Sequence, residues 1–170
     1  IKDIVKAFNI PVLEVSGYEA DDVIGTLSKI SEQKGFITYM MTPDKDYAQL
    51  VSETSFIYKP GRGGNPPQIM GVKEVCEKFE VKDPIQVIDI LGMWGDASDN
   101  IPGIPGIGEK TAKKLIKQYG SLEGLLENTD DLKGKQKENV INFAKQGVMS
   151  KLLATIILDV DVECDEEKLK

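Results

Sequence analysis

Residues Gly95–Lys117 read GDASDNIPGIPGIGEKTAKKLIK, and the rest of the chain is best understood outward from this stretch. Its first half sets Asp96 and Asp99 among small and turn-forming residues. Its second half, Ile104-Pro105-Gly106-Ile107-Gly108 running into Glu109-Lys110-Thr111-Ala112, has the pattern of a glycine hairpin that opens directly into a helix. Glycines at alternate positions let a backbone turn tightly and approach another backbone closely. A helix that begins straight after such a turn presents unpaired N–H groups and the positive end of its dipole, which suits a phosphate. The helix is sorted by face: Lys110, Lys113, Lys114 and Lys117 fall at i, i+3, i+4 and i+7, with Ala112, Leu115, Ile116 and Tyr119 opposite. Such a lysine face is ordinarily just solvated. Joined to the glycine hairpin, it points to contact with a nucleic-acid backbone.

Composition narrows the chemistry. The 170 residues include no histidine, which excludes Ser-His-Asp and Cys-His nucleophilic catalysis and makes zinc a poor choice. Any reaction here rests on carboxylates, lysines, hydroxyls and the ions that carboxylates hold. Cys76 and Cys164 lie far apart without a C-x-x-C partner, so neither a metal knuckle nor a disulfide framework is indicated, and a reducing, cytoplasmic setting fits. The chain shows no signal peptide and no apolar run long enough to span a membrane. The formal net charge of −7 argues at first against a nucleic-acid partner. If the acids cluster around cations, the sum misleads and the distribution of charge decides.

Read in order, Ile1–Phe8 has helical periodicity and leads into a β-like segment, Pro11–Val15. Ser16 and Glu19 are spaced as a capping box for a helix burying Ala20, Val23, Ile24, Leu27 and Ile30. Its first turn carries Glu19, Asp21 and Asp22. Acids there favour the helix dipole, yet three in four positions exceed what capping needs, and a divalent cation would relieve their repulsion. The strand Phe36–Met41 runs into Asp44 and Asp46, either turn and cap residues or ligands at the carboxyl end of a sheet. Ser55–Lys59 reads as a strand, and Gly61–Pro67 as a flexible turn with Arg62 solvated. Helices follow over Gly71–Phe79, with Cys76 a small core residue, and from Asp83-Pro84 to Trp94, itself a core residue. Beyond the lysine helix, Leu122–Leu126, Lys133–Phe143 and Val148–Thr155 are helical, and Ile156–Cys164 reads as a closing extended segment. Asp96 and Asp99, at i and i+3, are open to a turn-and-cap explanation as well.

The IPGIPGIGEKTAKKLI segment resembles the helix-hairpin-helix element of structure-specific 5′ nucleases. With GDASDN before it, the chain is similar to the 5′ nuclease (flap endonuclease-type) domain of bacterial DNA polymerase I, from Val15 through Leu152–Thr155. The resemblance implies an α/β fold with a PIN-like, mostly parallel sheet, incomplete on its N-terminal side, followed by an all-α helix-hairpin-helix, SAM-like subdomain. We expect residues 1–70 to be the C-terminal part of the catalytic core and 71–170 the helical DNA-binding part with its tail. It also implies that Glu19, Asp21, Asp22, Asp44, Asp46, Asp96 and Asp99 hold a pair of Mg²⁺ or Mn²⁺ ions. Glu19, Asp21 and Asp22 would lie nearer the first ion, and Asp46, Asp96 and Asp99, the catalytic set, nearer the second. Gly103, Gly106, Ile107, Gly108, Lys110, Thr111, Lys113 and Lys114 would meet DNA, with a monovalent cation such as K⁺ held by hairpin carbonyls. The implied substrate is a 5′ flap or nicked duplex, in replication and repair, with polymerase domains following in the parent chain. Oxygen-only ligands agree with Mg²⁺ or Mn²⁺.

The chain departs from that family in carrying neither its upstream strand aspartates nor its helical arch. The expectation is therefore a fragment that binds duplex DNA weakly and cleaves poorly or not at all. Two other classes explain parts of the pattern. A non-catalytic helix-hairpin-helix module accounts for the hairpin and not for the acidic runs; a PIN-type ribonuclease accounts for the acids and not for the hairpin.

Overall fold

The computed structural model describes residues 1–61 and 63–163, so Arg62 and Cys164 lie outside the described residues. The chain divides into two compact units, residues 1–38 with 156–170, and residues 39–155.

In the first unit, α1 (Lys2–Ala7) buries none of its residues, and α2 (Ala20–Gln33) buries Val23, Gly25, Thr26 and Ser28. Ala20 and Ile24 are exposed, so the apolar stripe of α2 is narrower than its periodicity predicts. Pro11–Val15, read as β-like, forms no strand. The start of α2 also differs from the sequence reading. Glu19, not Ser16, is the N-cap, and its N–H donates to the Asp22 carboxylate at 3.1 Å. Asp22 sits at the position where a reciprocal capping bond forms, so the box lies three residues later than expected. Thr26 and Asp22 tie α2 to the returning chain: Val160 N–H donates to Thr26 Oγ1 at 3.2 Å, and Ile157 N–H to Asp22 Oδ1 at 2.9 Å. Through Glu163 the returning segment forms no strand.

The boundary between the units falls in β1 (Thr38–Met41). It is followed by a 3₁₀ turn at Asp46–Leu50 and by β2 (Ser55–Lys59), the strand expected there, with Ser55 and Ile57 buried. β3 (Gln68–Met70) completes a three-stranded sheet of order β1-β2-β3. The expected parallel character does not extend to this edge. β2 and β3 pair antiparallel, Ile57 opposite Met70 and Lys59 opposite Gln68.

Helices then build the rest of the second unit: α3 (Val72–Phe79), a 3₁₀ turn at Pro84–Gln86 leading into α4 (Val87–Trp94), α5 (Glu109–Tyr119), α6 (Leu122–Glu127), α7 (Gly134–Asn142) and α8 (Ala144–Ala154). Asp83 caps the 3₁₀ turn, its Oδ1 accepting from Ile85 N–H at 3.0 Å, with Pro84 where a missing N–H costs nothing. One core runs through this unit. Met40 and Ile57 from the sheet, Val75 and Phe79 from α3, and Ile90 and Leu91 from α4 meet Leu115, Ile116, Leu122 and Val140. Trp94 and Cys76 are partly buried against it. Gly92 of α4 faces Lys151 of α8 so closely that an added Cβ would stand 2.7 Å from the Lys151 Cβ; the two helices touch backbone to backbone there. Among the described residues no helix is long and apolar enough to cross a membrane.

Candidate metal centre

Asp46, Asp96 and Asp99 each bring a carboxylate oxygen to one place, these atoms lying within 4.8 Å of one another. Two stretches about fifty residues apart achieve this, each by local turn chemistry. After β1, Thr42 Oγ1 accepts from Asp44 N–H at 3.1 Å and Asp44 Oδ1 accepts from Asp46 N–H at 3.0 Å. These nested turns deliver Asp46 into the 3₁₀ turn with only 7% of its surface exposed. Asp44 is thus a turn residue in this structure, adjoining the cluster.

On the other side α4 ends at Gly95, whose φ of 79° no side chain tolerates well. Asp96 and Ile101 then exchange both backbone hydrogen bonds, 2.8 Å each, closing a short loop that turns through Asn100 at φ 58°. Ser98 donates its N–H, at 2.9 Å, and its hydroxyl to Asp96 Oδ1. The loop is pinned from behind by Gly103, at φ 62°, where a Cβ would stand 2.5 Å from Gly95 N and 2.7 Å from Met93 O. Gly103→Ala is therefore expected to cost about 2–3 kcal/mol in urea unfolding, since neither backbone can yield.

Lys45 completes the centre. Its ammonium is ion-paired with Asp96 Oδ2, lies 3.7 Å from Asp46 Oδ1, and stands 5.7 Å from the centroid of the Trp94 ring. A cleft of about 580 Å³ opens here, lined by Lys45, Trp94, Asp96 and Ser98 among others. The two buried aspartates are driven apart. Burial, then the charges of Asp44, Asp96 and Asp99, push Asp46 up to about 6 against the pull of Lys45. Burial works on Asp96 in the same direction, but hydrogen bonds from Lys45 and Ser98 hold it at about 2. Asp46 Oδ1 is buried and accepts no hydrogen bond.

The metal-free protein should register Asp46 in its stability. The folded state binds this proton more tightly than the unfolded chain, whose ordinary value is 3.8, so between about pH 4 and 6 it holds more protons. Stability attributable to Asp46 is present below that window and is lost as pH rises through 6, by about 3 kcal/mol at most. Urea unfolding in chelator at pH 4.5 and 7.5 should show the fall, and Asp46→Asn should flatten it.

Glu19, Asp21 and Asp22 belong to the first unit and lie at the start of α2. Both Asp22 oxygens are engaged there, Oδ2 by Glu19 N–H and Oδ1 by Ile157 N–H.

The glycine hairpin leads from the same loop. Gly103 is buried, its N–H donating to Ser150 Oγ at 3.0 Å and its carbonyl accepting from Gln146 Nε2 at 2.8 Å, so both of its polar groups act inside the fold. Ile107 is a core residue. Gly106, at φ 80°, and Gly108 are exposed, and Asn139 Nδ2 steadies the hairpin by donating to Pro105 O at 2.7 Å. Gly108 is the N-cap of α5 and no side chain caps that end; Thr111 N–H donates to Gly108 O at 3.0 Å, while the N–H groups of Glu109 and Lys110 have no acceptor within the helix. Lys110 and Lys114 are exposed and Thr111 half-buried. Lys113 is not part of a free face. It pairs with Glu109 at 2.6 Å and donates to Lys78 O at 2.8 Å, lying against the Phe79 ring.

Lys45, Ser98, Asn139, Gln146 and Ser150 are the residues contacting the acidic cluster and the hairpin that sequence reasoning misses. Lys45 stands in plain view between two aspartates. The helical residues carry no local signal, since their partners lie 34 to 47 positions away.

A buried carboxylate whose Oδ1 accepts no hydrogen bond thus sits with two others one loop away from a glycine hairpin whose helix start no side chain caps. The family profile "5'-3' exonuclease, N-terminal resolvase-like domain" matches residues 1–80, and "5'-3' exonuclease, C-terminal SAM fold" matches residues 82–170. The chain belongs to the 5′-3′ exonuclease family. It is 43% identical over 164 residues to DNA polymerase I of Bacillus subtilis, covering 96% of this chain and 18% of that protein. It is 40% identical over 170 residues to a 5′-3′ exonuclease of Aquifex aeolicus, covering 100% of this chain and 56% of that one. The chain thus spans about a fifth to a half of the curated relatives it matches. Its fold is that of the bacteriophage T5 flap endonuclease solved as a pseudo-enzyme-product complex with DNA and metal ions. The TM-score is 0.77 at 21% identity, over 90% of this chain and 55% of that one.

Proposed function

We propose that this chain is the part of a DNA polymerase I-type 5′ nuclease that holds divalent ions, Mg²⁺ or Mn²⁺, and grips duplex DNA for hydrolysis near the 5′ end of a flap or nick. The observation that carries the reading is Asp46 Oδ1, buried without a hydrogen-bond donor between Asp96 and Asp99. Oxygen-only donors of this kind suit hard cations, and a buried carboxylate that lacks a donor is costly unless a cation meets it. Such ions, when bound, supply a water of lowered pKa and stabilise charge at the scissile phosphate. Asp46, Asp96 and Asp99 would hold them as the catalytic set, with Glu19, Asp21 and Asp22 as further ligands and Asp44 fixing Asp46 through its backbone. We assign residues 1–70 to the catalytic core and 71–170 to the DNA-binding part, which would also lend Asp96 and Asp99 to the centre.

The hairpin supports the substrate. Gly106, Gly108 and the first N–H groups of α5 present backbone donors, and Lys110 and Lys114 add charge on the same side. The T5 relative was solved with DNA. The test is binding of a labelled 5′-flap duplex across a salt series. Lys110→Ala with Lys114→Ala should lower the log–log salt slope by about two and weaken binding to every duplex sequence alike. An unchanged slope, or a preference for single-stranded RNA over the duplex, would remove duplex DNA as the substrate.

A further inference from the structure

We propose that Lys45 is a tethered counter-cation: it holds the Asp46–Asp96–Asp99 cluster together in the metal-free protein and surrenders Asp96 Oδ2 to an incoming divalent ion. This rests on the metal-centre reading and adds a residue whose task is to be displaced.

Three carboxylates within 4.8 Å repel one another unless positive charge lies among them. The Lys45 ammonium provides it, paired with Asp96 and 3.7 Å from Asp46. The two oxygens of Asp96 are divided between kinds of partner. Oδ1 takes the N–H and hydroxyl of Ser98, both fixed by the loop, whereas Oδ2 takes the ammonium at the end of a flexible stem. A divalent ion entering the cluster therefore competes with Lys45 for Oδ2 and leaves the Ser98 bonds in place. Lys45 also lies 5.7 Å from the Trp94 ring, whose face can hold the ammonium once Asp96 is taken. No backbone need move, because Lys45 is the immediate neighbour of Asp46.

The geometry supplies its own reporter, for Trp94 is the chain's single tryptophan. Mn²⁺ binding would be followed by electron paramagnetic resonance, and Trp94 emission by titration with Mg²⁺, which is not paramagnetic. Lys45→Met should bind Mn²⁺ about tenfold tighter than the parent chain, because the competitor is gone, while Lys45→Arg, which keeps the charge, should stay near the parent value. In the parent chain Trp94 emission should change in step with metal occupancy, and in Lys45→Met that change should vanish. Equal affinity of Lys45→Met and the parent would overturn the proposal, as would a Trp94 response that survives the substitution. Asp46→Asn separates this from failure of the underlying reading. If it binds Mn²⁺ as tightly as the parent chain, the metal centre itself is refuted, and the role of Lys45 with it.

Discussion

Asparagine in place of Asp96 is expected to weaken Mn²⁺ binding by about a hundredfold or more and, on the proposed function, to slow cleavage of a 5′-flap duplex by roughly a thousandfold. The substitution is nearly isosteric and spares what shapes the loop. The backbone exchange with Ile101 does not involve the side chain, and an amide oxygen can still accept from Ser98 N–H in the place of Oδ1. What disappears is charge. Asp96 is held at about 2, so it is ionised at every pH at which the enzyme would work, and asparagine removes a full negative charge. Asp46 differs, because near neutrality it is only just ionised and its protonation already trades against metal. The two variants should therefore separate by pH: Asp96→Asn weak throughout, and the parent chain losing metal as pH falls through 6. Electron paramagnetic resonance titration and single-turnover cleavage would measure this, with the urea midpoint confirming that the fold is kept. Unaltered cleavage by Asp96→Asn would mean that the Lys45–Asp96 pair is structural and the centre lies elsewhere.

The parts of this site that were legible in the chain are those made by local chemistry. Gly106 announces a turn because few other residues adopt its φ of 80°, and Ser55–Lys59 forms the strand that its Phe56-Ile57-Tyr58 run suggests. Asp83-Pro84 names its helix start by cap and ring. The convergence of Asp46 with Asp96 and Asp99 is of another kind. Each acid has an adequate turn-and-cap explanation, and Asp44 does serve as a turn residue. Only the resemblance joined the two stretches. At α2 local reasoning failed, because Ser16 and Glu19 have capping-box spacing but Glu19 and Asp22 form the bond. Two boxes overlapped in one acidic run, and spacing alone does not rank them. Lys113 misled for a tertiary reason: it has the periodicity of the lysine face, yet Glu109 and the end of α3 claim it. The supports of the hairpin, Asn139, Gln146 and Ser150, are set by how α7 and α8 pack, which no window of sequence contains.

Asp89→Ala should strongly destabilise the helical unit, by about 3–5 kcal/mol. Asp89 is 5% exposed in the first turn of α4, and it binds two other helices at once. Its Oδ1 accepts from Leu122 N–H, the first residue of α6, at 2.9 Å, and lies 2.6 Å from the Lys151 ammonium of α8. Alanine would orphan a buried N–H and leave Lys151 with Glu123, at 2.7 Å, as its remaining partner. Because that partner stays, the lower end of the range is expected. Asp89→Asn keeps an acceptor for Leu122 and should cost about 1–2 kcal/mol. The pair Asp89→Leu with Lys151→Met removes both charges and should recover part of the loss, which would show that the cost is an uncompensated charge and not the absence of a favourable one. The consequence reaches the Asp46–Asp96–Asp99 cluster through the helices that Asp89 joins. α4 ends in Trp94 and leads through Gly95 to Asp96, and α8 carries the Ser150 and Gln146 that pin Gly103 behind that loop. Loosening α4 from α8 should therefore weaken Mn²⁺ binding even where the chain remains folded. Urea unfolding and Mn²⁺ titration of the same three variants measure both effects. A stability loss with unchanged metal affinity would show that Asp96 is held by its own loop alone.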